Sequence, residues 1–182
     1  MLTEITDAVA LPGPGPAGFG YLRAPVASEP LVDLSTLDLS RSVISAAEIN
    51  RVLPQTGPMR MLDDVVWFDR ADSLAVGLKR VRDDEFWVPH HIPGRPLLPG
   101  VLMIEAAAQL CSLVQTISLD LKGFLGFTRC DETSFRGQVV PGDTLYLVVK
   151  LLEQNRRRFV SQAQGFVNGK LVFETRITGM TI

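Results

Sequence analysis

One stretch limits what this chain can become: residues 91–109, HIPGRPLLPGVLMIEAAAQ, and the apolar run that continues from it to Leu119. Two proline-glycine pairs, Pro93-Gly94 and Pro99-Gly100, fix a loop where neither helix nor strand can run. Beyond them, residues 101–119 carry a single formal charge, Glu105. A run of that length must be weighed as a membrane span. Glu105, Gln109, Ser112, Gln115 and Thr116 interrupt it, so the better reading is a central helix buried on most sides. Such a helix needs a wall of other elements around it, and the rest of the chain must supply that wall.

The remaining sequence has the material for one. Ser45-Ala46-Ala47-Glu48 has the form of a capping box, which predicts a short helix to Val52 or Leu53, stopped by Pro54. Residues 60–68 and 73–81 have strand character and are separated by the polar turn Asp69-Arg70-Ala71-Asp72. Residues 83–87 are expected to form a helical turn with Phe86 and Trp87 packed inward. After the central helix, residues 124–135 read as a less regular strand, and residues 144–152 alternate well. Residues 158–167 pair with 170–181 through Asn168-Gly169, a strong type I′ hairpin signal. Pro141-Gly142-Asp143 marks a further turn. The pattern predicts an α+β domain in which an antiparallel sheet wraps one long central helix.

A chain of 182 residues is long enough for one domain with a sizeable core, and no repeat or second domain is visible. The domain is expected over residues 45–182. Residues 1–44 read as an extension, since the proline-glycine stretch at 11–18 fits neither a regular helix nor a central strand. With Glu4 and Asp7 so early and no basic segment before an apolar run, no secretion signal is expected.

Charge and cysteines narrow the chemistry. Eighteen basic against twenty acidic side chains give a net charge of −2, which argues against a broad nucleic-acid face. Cys111 and Cys130 lack metal-ligand spacing, and the two histidines, His90 and His91, are adjacent, so no metal site is expected. Cys111, inside the apolar run, reads as a small core residue. That leaves His91 and Glu105. Either one alone has an ordinary structural explanation, as a packed histidine or a solvent-facing helix carboxylate. Glu105, however, lies among Leu102, Met103, Ile104, Ala106, Ala107 and Ala108, where an unpartnered carboxylate is costly to bury. An imidazole on a stiff loop, followed by one carboxylate in an apolar wall, points to an acid–base pair.

At His91-Ile92-Pro93-Gly94, Pro96, Pro99-Gly100-Val101-Leu102, Glu105-Ala106 and Gln109 the chain resembles the FabZ-type 3-hydroxyacyl-acyl-carrier-protein dehydratases, which have the hotdog fold. Leu53-Pro54, Leu62-Asp63, Phe135-Arg136, Val140-Pro141-Gly142-Asp143 and Asn168-Gly169-Lys170 add to the likeness. The resemblance covers residues 45–182. It implies dehydration of a 3-hydroxyacyl thioester to the trans-2-enoyl thioester in fatty acid biosynthesis, in the cytoplasm, with no metal or organic cofactor. His91 would take the proton from C2, Glu105 would assist loss of the 3-hydroxyl, and the Gly100 N–H would bind the thioester carbonyl. Pro99, Val101 and Gln109 would line the substrate. In this family histidine and carboxylate come from different subunits, so a homodimer is implied, with further assembly into a trimer of dimers. The acidic carrier protein would dock on basic residues, for which Arg95, Lys122, Arg129 and Arg136 are candidates. Neither nucleic acid nor membrane insertion is implied.

These residue types suit the reaction on their own terms. A C2 proton beside a thioester is weakly acidic, so the developing enolate oxygen needs an oriented donor. A helix N-terminus offers N–H groups and a favourable dipole there, and glycine allows close approach to that backbone. Imidazole titrates near neutral pH. Two departures stand out: His90 replaces the glycine usual before the histidine, and Gln55-Thr56-Gly57-Pro58-Met59 replaces basic and aromatic residues. Glutamate rather than aspartate at position 105 matches the FabZ type, so no coupled double-bond isomerisation is expected. Two alternatives share the scaffold: an acyl-thioester hydrolase and a non-catalytic acyl-binding subunit.

Overall fold

A computed structural model describes residues 28–182; the proline-glycine stretch at residues 11–18 lies outside them. The first helix, α1 (Ala46–Val52), starts on the capping box expected from sequence. The Ser45 N–H donates to Glu48 Oε2 at 2.8 Å and the Glu48 N–H donates to Ser45 Oγ at 3.4 Å. The long helix, α2 (Gly100–Leu119), begins after Pro99 and ends at Asp120 in the left-handed conformation. Six strands follow the expected order: β1 (Asp64–Asp69), β2 (Leu74–Arg80), β3 (Leu125–Phe135), β4 (Thr144–Gln154), β5 (Arg158–Val167) and β6 (Lys170–Thr181). They form one antiparallel sheet in the order β1-β2-β4-β5-β6-β3.

The sheet curls around α2, which packs against β2, β3, β4, β5, β6 and α1. This is the hotdog arrangement. Ala106, Ala107 and Ala108 are buried, and their small side chains let the helix lie close to the strands. Opposite them, a Cβ on Gly77 of β2 would stand 2.7 Å from Leu62 Cδ1 and 3.0 Å from Leu110 Cδ2. Helix and sheet are therefore in contact where only glycine fits. By length and composition α2 could cross a membrane, yet ten of its residues are buried within the domain, as a core helix requires.

The outer face of the sheet is covered too. Val66, Leu74, Val76, Leu78, Val148 and Phe166 form a second apolar cluster, and Leu31, Val32, Leu34, Leu37 and Leu39 pack on it. Residues 28–44 thus lie as a strap across the sheet. The Leu31 N–H donates to Gln164 Oε1 at 2.8 Å, and Gln164 Nε2 donates to Ser28 Oγ at 2.7 Å and Glu29 O at 3.0 Å. Ile44 then bridges Val65 at the β1 edge.

Three local expectations need correction. The first strand starts at Asp64, four residues later than read from sequence, because the chain before it is occupied with the central helix: the Met61 N–H donates to Gln109 Oε1 at 3.0 Å. Residues 83–87 form turns without a helix. Trp87 packs inward, but Phe86 is 45% exposed.

Candidate active site

The loop before α2 holds His91 from two sides. The N–H groups of His90 and His91 both donate to the Trp87 carbonyl, at 3.1 and 2.8 Å. At the ring, His91 Nδ1 lies 2.8 Å from the Leu97 carbonyl. A carbonyl has no proton to give, so Nδ1 carries the hydrogen, and in the neutral imidazole Nε2 is the nitrogen with the lone pair. The side chain is exposed, so that lone pair can meet an incoming group. The loop is pinned further along where the Leu98 N–H donates to Val139 O at 2.8 Å.

Pro99 and Gly100 turn this loop into α2. The Pro99 carbonyl accepts from Leu102 at 2.9 Å and Met103 at 3.3 Å, starting the helical ladder. As a first-turn residue Gly100 has no intrahelical acceptor for its N–H, which lies at the positive end of the helix dipole. A Cβ at Gly100 would sit 2.7 Å from two ring atoms of Phe135, so a larger residue here would push that half-exposed ring aside. The Phe135 ring is in turn stacked on Phe173, with centroids 5.6 Å apart. Val101, next along, is 70% exposed despite being apolar.

Glu105 is half-buried on the second turn of α2. Its partner is Gln109, one turn on, whose Nε2 donates to Glu105 Oε1 at 2.7 Å. The same amide donates to Met59 O at 2.7 Å and accepts from the Met61 N–H at 3.0 Å. Gln109 is fully buried. It therefore sits behind Glu105 and ties it to residues 59–61. Within one chain His91 and Glu105 take different partners, Leu97 and Gln109.

Beside α2 lies a cavity of about 300 Å³ lined by Leu53, Gln55, Ser112, Thr116, Phe124 and Leu125 among others. Ser112 and Thr116 follow Glu105 by seven and eleven positions, which at 3.6 residues per turn places all three along one stripe of the helix. The lining mixes polar and apolar groups.

The four basic candidates differ in setting. Arg95 is exposed in the His91 loop. Lys122 lies 3.3 Å from Asp120, and Arg129 2.7 Å from Asp131. Arg136 is mostly buried and ion-paired with Glu174 on the outer face. Among the described residues no cluster of His, Cys, Asp or Glu could hold a metal. Burial pushes the Cys111 thiol up to about 12, which removes it as a nucleophile. The sequence reading passed over the anchoring role of Trp87; the only signal was a tryptophan four residues before His91.

The chain belongs to the FabA-like family, whose domain matches residues 53–176. Within that family it is 35% identical to the 3-hydroxyacyl-[acyl-carrier-protein] dehydratase FabZ of Alkaliphilus metalliredigens (strain QYMF) over 132 residues, 72% of this chain and 89% of that protein. Solved structures share the fold at lower identity. The dehydratase heterocomplex ApeI:P of Xenorhabdus doucetiae matches with a TM-score of 0.63 at 18% identity, covering 74% of this chain and 90% of that one. A hypothetical thioesterase protein with coenzyme A from Streptococcus pneumoniae TIGR4 matches at 0.52 and 17%, covering 65% and 84%.

Proposed function

We propose that this chain dehydrates 3-hydroxyacyl groups carried on acyl carrier protein to the trans-2-enoyl thioester, in cytoplasmic fatty acid biosynthesis. The observation that carries the reading is the orientation of His91. Its Nδ1–H is committed to Leu97 O, so Nε2 is the free base on an exposed ring beside the start of α2. In the forward reaction Nε2 takes the C2 proton. The thioester oxygen, as it gains charge, accepts from the Gly100 N–H at the helix terminus. Glu105, held by Gln109, delivers a proton to the departing 3-hydroxyl, directly or through water. The acyl chain then lies along α2 toward Ser112 and Thr116, ~10 to ~16 Å from Glu105 at 1.5 Å per residue.

His91 and Glu105 meet between two copies of the chain. β3 ends the sheet, so one side of it offers unpaired backbone groups. Phe124, Phe127 and Phe135, on and beside β3, are exposed apolar rings, and Val101 is exposed at the adjoining helix start. An apolar edge of this kind suits pairing with a second copy. His91 of one protomer then faces Glu105 of its partner, and such dimers can assemble in threes. Pro99 and Val101 flank the substrate; Arg95 is the basic residue best placed to meet the carrier protein.

The test is dehydration of a 3-hydroxyacyl-carrier-protein, followed in both directions, for wild type, His91→Ala and Glu105→Ala. Loss of turnover in both variants with assembly intact is expected. Release of free thiol without enoyl product would point instead to thioester hydrolysis. Binding of acyl thioesters with no turnover at any chain length would point to an acyl-binding subunit.

A further inference from the structure

A buried ion pair sits behind the loop that carries His91. Lys79 lies on the helix-facing side of β2, opposite Leu145 of β4, and is 1% exposed. Its Nζ contacts both oxygens of Glu85, at 3.0 and 2.8 Å. The Glu85 carboxylate also accepts from the Arg82 N–H at 2.9 Å on Oε1 and from Trp87 Nε1–H at 3.0 Å on Oε2. Trp87 is itself buried, and its carbonyl is the acceptor for both His90 and His91 N–H. Burial pushes the Glu85 carboxyl up, but the Arg82 N–H, Lys79 and Trp87 together hold it below the ordinary carboxylate range, so Glu85 stays a carboxylate.

We infer that Lys79 and Glu85 are positioning residues for His91: through the Trp87 indole they fix the carbonyl that seats the histidine backbone. A buried ion pair adds little stability over apolar groups of the same size, because desolvation offsets its attraction. What it supplies here is direction. Two carboxylate oxygens serve Arg82 and Trp87 separately, which sets the path of residues 82–91 from rigid β2 to the site. The inference rests on His91 acting as proposed, and extends that site by two residues that touch no substrate.

The test is Lys79→Met/Glu85→Gln, which removes both charges at nearly constant volume. The amide can accept on one oxygen only, so its nitrogen faces either the Arg82 or the Trp87 N–H and one anchor is lost. The expected result is a folded protein whose kcat falls roughly 10- to 100-fold with KM little changed. The His91 ring NMR signals should shift; with only two histidines in the chain, His90→Ala and His91→Ala assign them. A folded double variant with wild-type kcat, or one with lowered kcat but unmoved His91 signals, would overturn the inference. Should that variant fail to fold, hydrogen exchange on the wild type decides: the Trp87 indole and His91 amide hydrogens should both be protected. Free exchange at the His91 amide beside a protected indole would uncouple the two. Activity surviving in His91→Ala would sink the proposed function instead, while the ring signals would still judge the positioning.

Discussion

Gln109→Leu separates support of the carboxylate from contact with substrate. The substitution keeps the volume of a fully buried side chain and removes three hydrogen bonds, to Glu105, Met59 O and Met61 N–H. The Met61 N–H is left buried and unpaired, at a cost of about 1–3 kcal/mol. The Met59 carbonyl belongs to a residue that is 45% exposed and can turn to water, so it adds little. The added apolar burial of leucine offsets part of this, ~1 kcal/mol. The net loss of up to ~2 kcal/mol corresponds to a Tm lower by up to ~8 °C for a domain of this size. The assay pairs thermal unfolding with steady-state kinetics. A lowered Tm and a kcat reduced roughly 10- to 100-fold, with KM nearly constant, are expected from a carboxylate that has lost its orientation. A raised KM with intact kcat would refute this and make Gln109 a substrate ligand.

Other expected outcomes follow from the same geometry. Ser112→Phe, which fills the cavity on the Glu105 stripe, should abolish turnover of long acyl chains and spare short ones; equal loss at every length would remove the chain from that path. A protein starting at Ser45 lacks the strap over Val66, Val76 and Phe166 and should bind a hydrophobic dye and melt earlier; an unchanged melt would mean the strap contributes nothing. Glu174 accepts from Ser28 and is ion-paired with Arg136, and although burial pushes its carboxyl up, these partners hold it below its ordinary 4.5. Its stabilisation is therefore fully present above about 4.5 and is lost as pH falls through the lower folded value. In an acid titration Glu174→Gln should flatten that step, and an identical acid limb in the variant would count against the assignment.

Much of this was legible in the residues themselves. The hairpin joining β5 to β6 was readable because Asn168 and Gly169 both adopt positive φ, 49° and 74°, which few other pairs tolerate. The α1 cap was readable because its two reciprocal bonds depend on residues three apart. The strap was not: Leu31, Val32, Leu34, Leu37 and Leu39 follow no helix or strand period, since they fit a surface made by other strands. Nor was the inward lysine of β2, where both faces are covered and alternation disappears. The relation between His91 and Glu105 is the hardest case. Spacing along the chain brought both residues forward, but their hydrogen bonds within one chain lead elsewhere.

Mixing two inactive variants tests that relation most directly. His91→Ala and Glu105→Ala chains, unfolded together and refolded, should form heterodimers in which one site joins the intact His91 of one protomer to the intact Glu105 of the other. Random pairing then restores up to about a quarter of wild-type activity. A mixture that stays as inactive as its parents, with heterodimers shown by native mass measurement, would contradict a site shared between protomers.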